Sequence, residues 1–273
     1  LKDNTIFVFV RLKMRIQEFI CEIEKWVPSS QAEEFDNVGL IVGNLNTIIS
    51  GAIISLDTTE EIIDEAIQKK CNLIISFHPI IFSGLKKITS FSYVQRTVLK
   101  AIQNNICIYA IHTSLDNHNK GVNFKISERL KLKNSKILIP NKENDQIGMG
   151  RIGELTELME EKKFLKFIKT RMKTNTIRHS KLLNKKIKRV AVLGGSGSFA
   201  IKNAIDQDAD AFITADLKYH NFFESNKQIV LIDIGHYESE QFTKNLIHDY
   251  LRKKFPNFAI ILASTNTNPV NYF

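Results

Sequence analysis

Three short polar clusters in this 273-residue chain carry residue types that can do chemistry. They are His78 in Ser76-Phe77-His78-Pro79; His112 and Asp116 in Ile111-His112-Thr113-Ser114-Leu115-Asp116; and His236 and Glu240 in Gly235-His236-Tyr237-Glu238-Ser239-Glu240. Imidazole and carboxylate together suit Zn, Mn or Fe. The spacing of His112/Asp116 and of His236/Glu240 puts both groups of each pair on one face of a helix that begins there. A carboxylate reaching two cations while histidines finish each shell is the usual plan of a hydrolytic two-metal site. A single histidine at a strand end reads first as a hydrogen-bonded structural residue. Three clusters at equivalent strand ends, in a chain with 7 His, point instead to a shared cation.

The elements that must position these groups follow from hydrophobic periodicity. Ile16, Phe19, Ile20 and Ile23 have helical spacing, and that helix ends near Val27-Pro28. From residue 51 apolar runs alternate with helical patterns. Strands are expected at Ala52–Leu56, Leu73–Phe77 and Ile106–Ile111, and helices at Thr59–Lys70, Tyr93–Asn104 and Val122–Leu130. The alternation returns with strands at Val190–Gly194, Ala211–Ala215 and Ile229–Ile234, and helices at Phe199–Gln207 and Glu238–Lys254. Shifting the chain by 138 positions (190 − 52) lays Val190–Leu217 on Ala52–Pro79 without a gap, strand on strand. The expected fold class is therefore α/β: two similar α/β lobes with mainly parallel sheets facing a shared metal-binding cleft. The expected division is an N-terminal extension (1–13), a first lobe (14–131), a basic connector (132–186) with a helix near Leu158–Arg171, and a second lobe (187–273) packing on the first.

Composition narrows the classes further. A hydrophobic content of 43% with 25% charged residues describes a globular chain, neither disordered nor fibrous. No apolar run reaches the roughly 20 residues needed to cross a bilayer, so no membrane association is expected. Residues 1–13 include the apolar patch Ile6–Val10, too short for a signal peptide and without a cleavage site. Three cysteines (Cys21, Cys71, Cys107) without CxxC spacing make no disulfide framework and fit a reducing cytoplasm. The formal charge of +9 is densest from Lys162 to Arg189, a stretch with no acidic residue. That stretch reads as a solvated face; attraction of a polyanion or a nucleotide triphosphate is the sharper alternative. Aromatic residues for base stacking are sparse in it, which disfavours nucleic acid. Gly194-Gly195-Ser196-Gly197 could offer amides to a phosphate but lacks the phosphate-loop patterns, and reads first as a tight turn. Asp36-Asn37-Val38-Gly39 also reads first as a turn.

The strings Ala32-Glu33-Glu34-Phe35-Asp36-Asn37-Val38-Gly39-Leu40, Ile74-Ile75-Ser76-Phe77-His78-Pro79, His112-Thr113-Ser114-Leu115-Asp116, Gly194-Gly195-Ser196-Gly197, Asp216-Leu217-Lys218-Tyr219-His220 and Gly235-His236-Tyr237-Glu238-Ser239-Glu240 occur in that order. Together they resemble the GTP cyclohydrolase 1 type 2 family, also called Nif-three-like or dinuclear metal centre proteins. The resemblance implies a two-lobed protomer, a toroidal homohexamer and a di-metal site between the lobes. Its ligands would be His78, Asp116, His236 and Glu240, with Glu240 bridging. The family usually has two consecutive histidines before the proline, and here the first is Phe77, which cannot coordinate. One strong divalent metal (Zn, Mn or Fe) held by His78, Asp116 and Glu240 is therefore expected, with a second position at His236 left one ligand short by Phe77, unless His112 or another group substitutes. The implied activity is that of a metal-dependent hydrolase, in which metal-activated water attacks a nucleotide or related heterocycle. His112 and His220 are the candidate proton carriers, His112 equally as a partner orienting Asp116, and Asp216 is placed beside the cleft with His220. The rival reading is a non-catalytic, metal-binding, ring-forming protein that regulates or binds a protein or nucleic acid.

Overall fold

The computed structural model describes residues 14–273, so the expected N-terminal extension lies outside the described residues. Helix α1 (Ile16–Trp26) buries Ile16, Phe19, Ile20 and Ile23 on one face and stops ahead of Pro28. After it come β1 (Gly39–Val42), β2 (Ala52–Ser55), α2 (Glu60–Gln68), β3 (Leu73–Ser76), α3 (Tyr93–Gln103) and β4 (Cys107–Ala110). Thr59 and Ser92 cap α2 and α3, their hydroxyls accepting from the Ile62 and Gln95 amides. Strands β2, β3 and β4 are buried along their whole length and pair in parallel, as apolar runs covered on both faces do.

Two short helices follow, α4 (Thr113–Asn117) and α5 (Val122–Arg129), then β5 (Lys133–Pro140), β6 (Gly148–Glu160), α6 (Glu161–Met172) and β7 (Arg178–His179). The chain ends with β8 (Lys186–Ser196), α7 (Ile201–Asp206), β9 (Ala211–Ala215), β10 (Val230–Asp233), α8 (His236–Glu240), α9 (Thr243–Lys254) and β11 (Ile260–Leu262). One sheet has the order β1-β4-β3-β2-β11 and the other β5-β6-β8-β9-β10-β7. In the second, β8, β9 and β10 are parallel, and β5, β6 and β7 are added antiparallel.

The two sheets preserve the internal offset down to register. Ala52 pairs with Leu73, Ile53 with Ile74 and Ile54 with Ile75; 138 residues later Val190 pairs with Ala211, Ala191 with Phe212 and Val192 with Ile213. Two boundaries differ from expectation. Residues 132–186 are no mere connector, because β5, β6 and β7 complete the second sheet and α6 packs on it. The chain also returns to the first lobe, where β11 adds parallel to β2. One helix was expected over 238–254; two are present, α8 and α9. A continuous apolar core runs from Phe19 and Ile54 through Leu115 and Phe164 to Val192, Ile232 and Leu251, and so joins the lobes. Among the described residues no helix is long and apolar enough to cross a membrane.

Candidate metal centre

The ends of the parallel strands in both sheets face one seam. His78 leaves β3 two residues past its end, its amide donating to the Leu56 carbonyl (2.9 Å). His112 follows β4 and caps α4, which carries Asp116. His236 opens α8 and Glu240 closes it, so both side chains lie on one face. The Nε2 atoms of His78 and His236 each approach Glu240 Oε2 to 3.1 Å. Neither contact has hydrogen-bond geometry, and that buried oxygen has no hydrogen-bond partner. One donor atom from each of His78, His236 and Glu240 lies within 4.8 Å of the others. These three residues form a group that could bind a divalent metal.

Each imidazole is aimed by a carboxylate on its other nitrogen. His78 Nδ1 donates to Asp57 Oδ1, His236 Nδ1 to Asp216 Oδ2 and His112 Nδ1 to Asp36 Oδ1, each at 2.7 Å. Such a bond fixes the tautomer with the proton on Nδ1 and leaves Nε2 free to coordinate or exchange a proton. Asp36 also accepts from the Thr113 amide (3.0 Å) and hydroxyl, and Asp216 accepts from the Ser196 hydroxyl. His112 and Asp216 hold positive φ (35° and 55°), conformations that non-glycine residues rarely take and that gather at functional sites.

The charges depend on one another. Burial favours neutral imidazole, but Glu240 and Asp57 outweigh it and lift His78 to about 10. At His236 burial is likewise outweighed, by Asp216 and Glu240, and the pKa rises to about 11. Burial would raise Glu240, yet the two histidines hold it below the usual carboxylate range. Burial, and then the Glu240 charge, push Asp116 well above that range. Asp116 Oδ1 is buried without a hydrogen-bond partner. A cation displacing the two imidazole protons would give the orphaned Glu240 oxygen a partner, so the set of His78, His236 and Glu240 fits a divalent metal.

The glycines do structural work. Gly194 N donates to Asn123 Oδ1 and Gly195 N to Ser239 Oγ, both at 2.9 Å, so neither amide is offered to a phosphate. Gly195 has φ +67°, and a Cβ there would stand 2.4 Å from Glu240 Oε1. Residues 194–196 thus close β8 in place of the expected turn, and Gly195 leaves the space that Glu240 occupies.

Residues 14–269 match the Duf34/NIF3 (NGG1p interacting factor 3) family. The chain belongs to the Duf34/NIF3 family. It is 33% identical over 267 residues to the GTP cyclohydrolase 1 type 2 homolog of Clostridium acetobutylicum, covering 96% of this chain and 100% of that one. It is 36% identical over 261 residues to the protein of the same name from Lactococcus lactis, covering 94% and 98%. The crystal structure of a Bacillus cereus protein related to NIF3 is similar at a TM-score of 0.91 and 25% identity, covering 96% of this chain and all of that one.

In this Duf34/NIF3 chain the residues expected at the site are not all equally close. His78 and Glu240 gather with His236, which was expected at the second position, and not with Asp116; Asp116 and His112 line the same cavity. His220 does not line it: the residue lies on an exposed 3-10 turn (Tyr219–Ser225), its ring against Tyr219 and Phe223. A role for His220 in proton transfer therefore loses its support. Phe77 is fully buried, its ring centroid 4.9 Å from His78 and 5.6 Å from His112. Asp57 escaped sequence reasoning, although it sits just past a predicted strand, the same signal that singled out His78. The basic run is carried largely by α6 and the loops after it, and none of its residues lines the cavity.

Proposed function

We propose that this chain is a metal-dependent hydrolase of the GTP cyclohydrolase 1 type 2 kind, in which water adds to an electrophilic ring carbon of a heterocycle and a C–N bond opens. The observation that carries this reading is the convergence of two imidazole Nε2 atoms on one buried, unpartnered Glu240 oxygen. His78, His236 and Glu240 would hold the cation, with Asp116 the further carboxylate beside them. When bound, a divalent cation there supplies Lewis-acid polarisation and lowers the pKa of a coordinated water. Asp57 and Asp216 keep the two ligand imidazoles oriented. His112, its Nδ1 proton committed to Asp36, can take a proton at Nε2 from the attacking water and return it to the leaving ring nitrogen.

Assembly as a homohexameric ring and a cytoplasmic location belong to the same proposal. Native mass measurement tests the first. For the chemistry, the zinc- or manganese-loaded protein is incubated with GTP and with guanosine, and ring opening is followed by ultraviolet absorbance. Turnover lost on chelation, and lost together with metal in Glu240→Ala and Asp116→Ala, is the expected result. Activity persisting in a metal-free variant refutes the mechanism.

A further inference from the structure

The cavity above the metal group has a volume of about 530 Å³, within the usual range for small-molecule sites. Its two ends differ in kind. The inner end carries His78, His112 and His236 with Asp57, Asp116 and Glu240. The mouth is apolar: Phe35, Phe82 and Phe199 line it while remaining 65%, 52% and 58% exposed. Phe35 and Phe82 lie 6.3 Å apart between centroids, and Phe82 stands edge-on to His112 at 6.2 Å. Phe199 and Leu193 belong to the second lobe, so the aromatic groups stand on both sides of the seam. Exposed phenylalanines cost solvation in the empty protein, and a flat ring entering between them would cover them.

The lining is equally informative in what it offers an anion. Among the described residues no Lys or Arg lines the cavity, whereas three carboxylates do. Several of the donors beside the metal group are already used. The Gly194 and Gly195 amides bond Asn123 and Ser239, the Thr113 amide and hydroxyl bond Asp36, and the Ser196 hydroxyl bonds Asp216. A triphosphate entering here could meet the bound cation with one phosphate, but its remaining charges would lack the guanidinium or ammonium partners that phosphate sites supply. An uncharged ring meets no such penalty.

We propose that this site takes an uncharged, flat heteroaromatic ligand, of nucleobase or nucleoside kind, and discriminates against the nucleoside triphosphate, with Phe82 and Phe199 as specificity-determining residues. The inference rests on reading the seam as a hydrolytic metal site, and it makes GTP a poor ligand for a chain whose relatives carry that nucleotide in their name.

Isothermal titration of the zinc-loaded protein at 0.15 M salt tests it. The probes are guanosine and adenosine, each against its own triphosphate, and benzimidazole. Each nucleoside is expected to bind at least tenfold tighter than its triphosphate, and benzimidazole to bind measurably. Phe82→Ala and Phe199→Ala should each weaken nucleoside binding about tenfold, the scale of a lost base–aromatic stack. Their zinc content and melting temperature should match the parent, because both side chains are exposed. A smaller ratio, a preference for triphosphate, silence from all the uncharged probes or insensitivity to both phenylalanines overturns the proposal. The hydrolytic reading fails separately. A nucleoside bound through the phenylalanines but unchanged after long incubation refutes hydrolysis and leaves this assignment standing, whereas tight binding and turnover of GTP do the reverse.

Discussion

Gly195→Ala is a small change with a calculable consequence for metal binding. The residue sits at φ +67°, so any L side chain there is strained by about 1–2 kcal/mol. The added Cβ would also stand 2.4 Å from Glu240 Oε1. Non-bonded contacts settle near 3.5 Å, so the carboxylate must retreat by about 1 Å. Glu240 is buried and placed between two imidazoles, and a metal site tolerates errors of only about 0.2 Å in its ligand distances. Zinc affinity should therefore fall by roughly tenfold to a hundredfold, the loss typical when a ligand's support is removed. Gly39→Ala is the matched control, since Gly39 has φ +94° and its Cβ would meet nothing within 4 Å. Both variants should melt a few degrees lower, at about 2–4 °C per kcal/mol for chains of this size. Only Gly195→Ala should lose zinc, as measured by competition with a chromophoric chelator. If it binds zinc within threefold of the parent while folded, Glu240 is not the point on which the site turns.

Phe77 bears on stoichiometry: elemental analysis should find one tightly held zinc per chain, and Phe77→His should raise that number while lowering stability. Two tight equivalents in the parent would dispose of the argument. Asp57→Asn removes the ionised acceptor of the His78 Nδ1 proton and should weaken zinc tenfold to a hundredfold without unfolding the chain; an unchanged affinity in chelator competition denies Asp57 its orienting role. Glu65 accepts from the amides and hydroxyls of Ser264 and Thr265, and these donors, against the opposing effect of burial, lower its pKa from 4.5 to about 2. Because the folded value is the lower one, its stabilisation is complete above pH 4.5 and disappears as the pH falls towards 2. Glu65→Gln should cost roughly 1–2 kcal/mol at pH 7, after allowance for solvent screening, and less at pH 3, as read by urea unfolding.

The parallel centres of both sheets were legible because strands covered on two faces read as nearly continuous apolar runs. Leu73–Ser76 and Ala211–Ala215 are such runs, and the shared offset let each lobe check the other. Strand β5 defeated that reading, since only Leu138 among its eight residues is buried and its lysines suggested a solvated linker. Strand β11 has three residues, one of them buried, too few for any period to show. Among site residues, His78, His236 and Glu240 were recognisable by type and spacing. His220 resembled them in sequence only, because a residue after a strand can face either way and the 3-10 turn carries it outward. Asp57, and the orienting role of Asp36, escaped for a related reason. Asp36 and Asp57 reach their histidines from 76 and 21 residues away, distances that no local pattern encodes.

The same geometry explains why the site lies between the lobes and not within either. His78 and Asp57 come from the first sheet, and His236, Glu240 and Asp216 from the second. Neither lobe alone brings two imidazoles to one carboxylate. The contact between His78 Nε2 and Glu240 Oε2 is therefore both a metal-site distance and an interlobe distance. The C-terminal segment ties the halves on the same line: the Thr267 hydroxyl donates to Asp57 and Asn268 Nδ2 to Glu238, next to the ligands on either side. With one apolar core passing beneath the seam, movement of one lobe against the other is resisted by packing as well as by these bonds. A doubled fold thereby gains a binding point held on rigid strand ends from both sides, and the loops between strands remain free to shape the ligand's entrance.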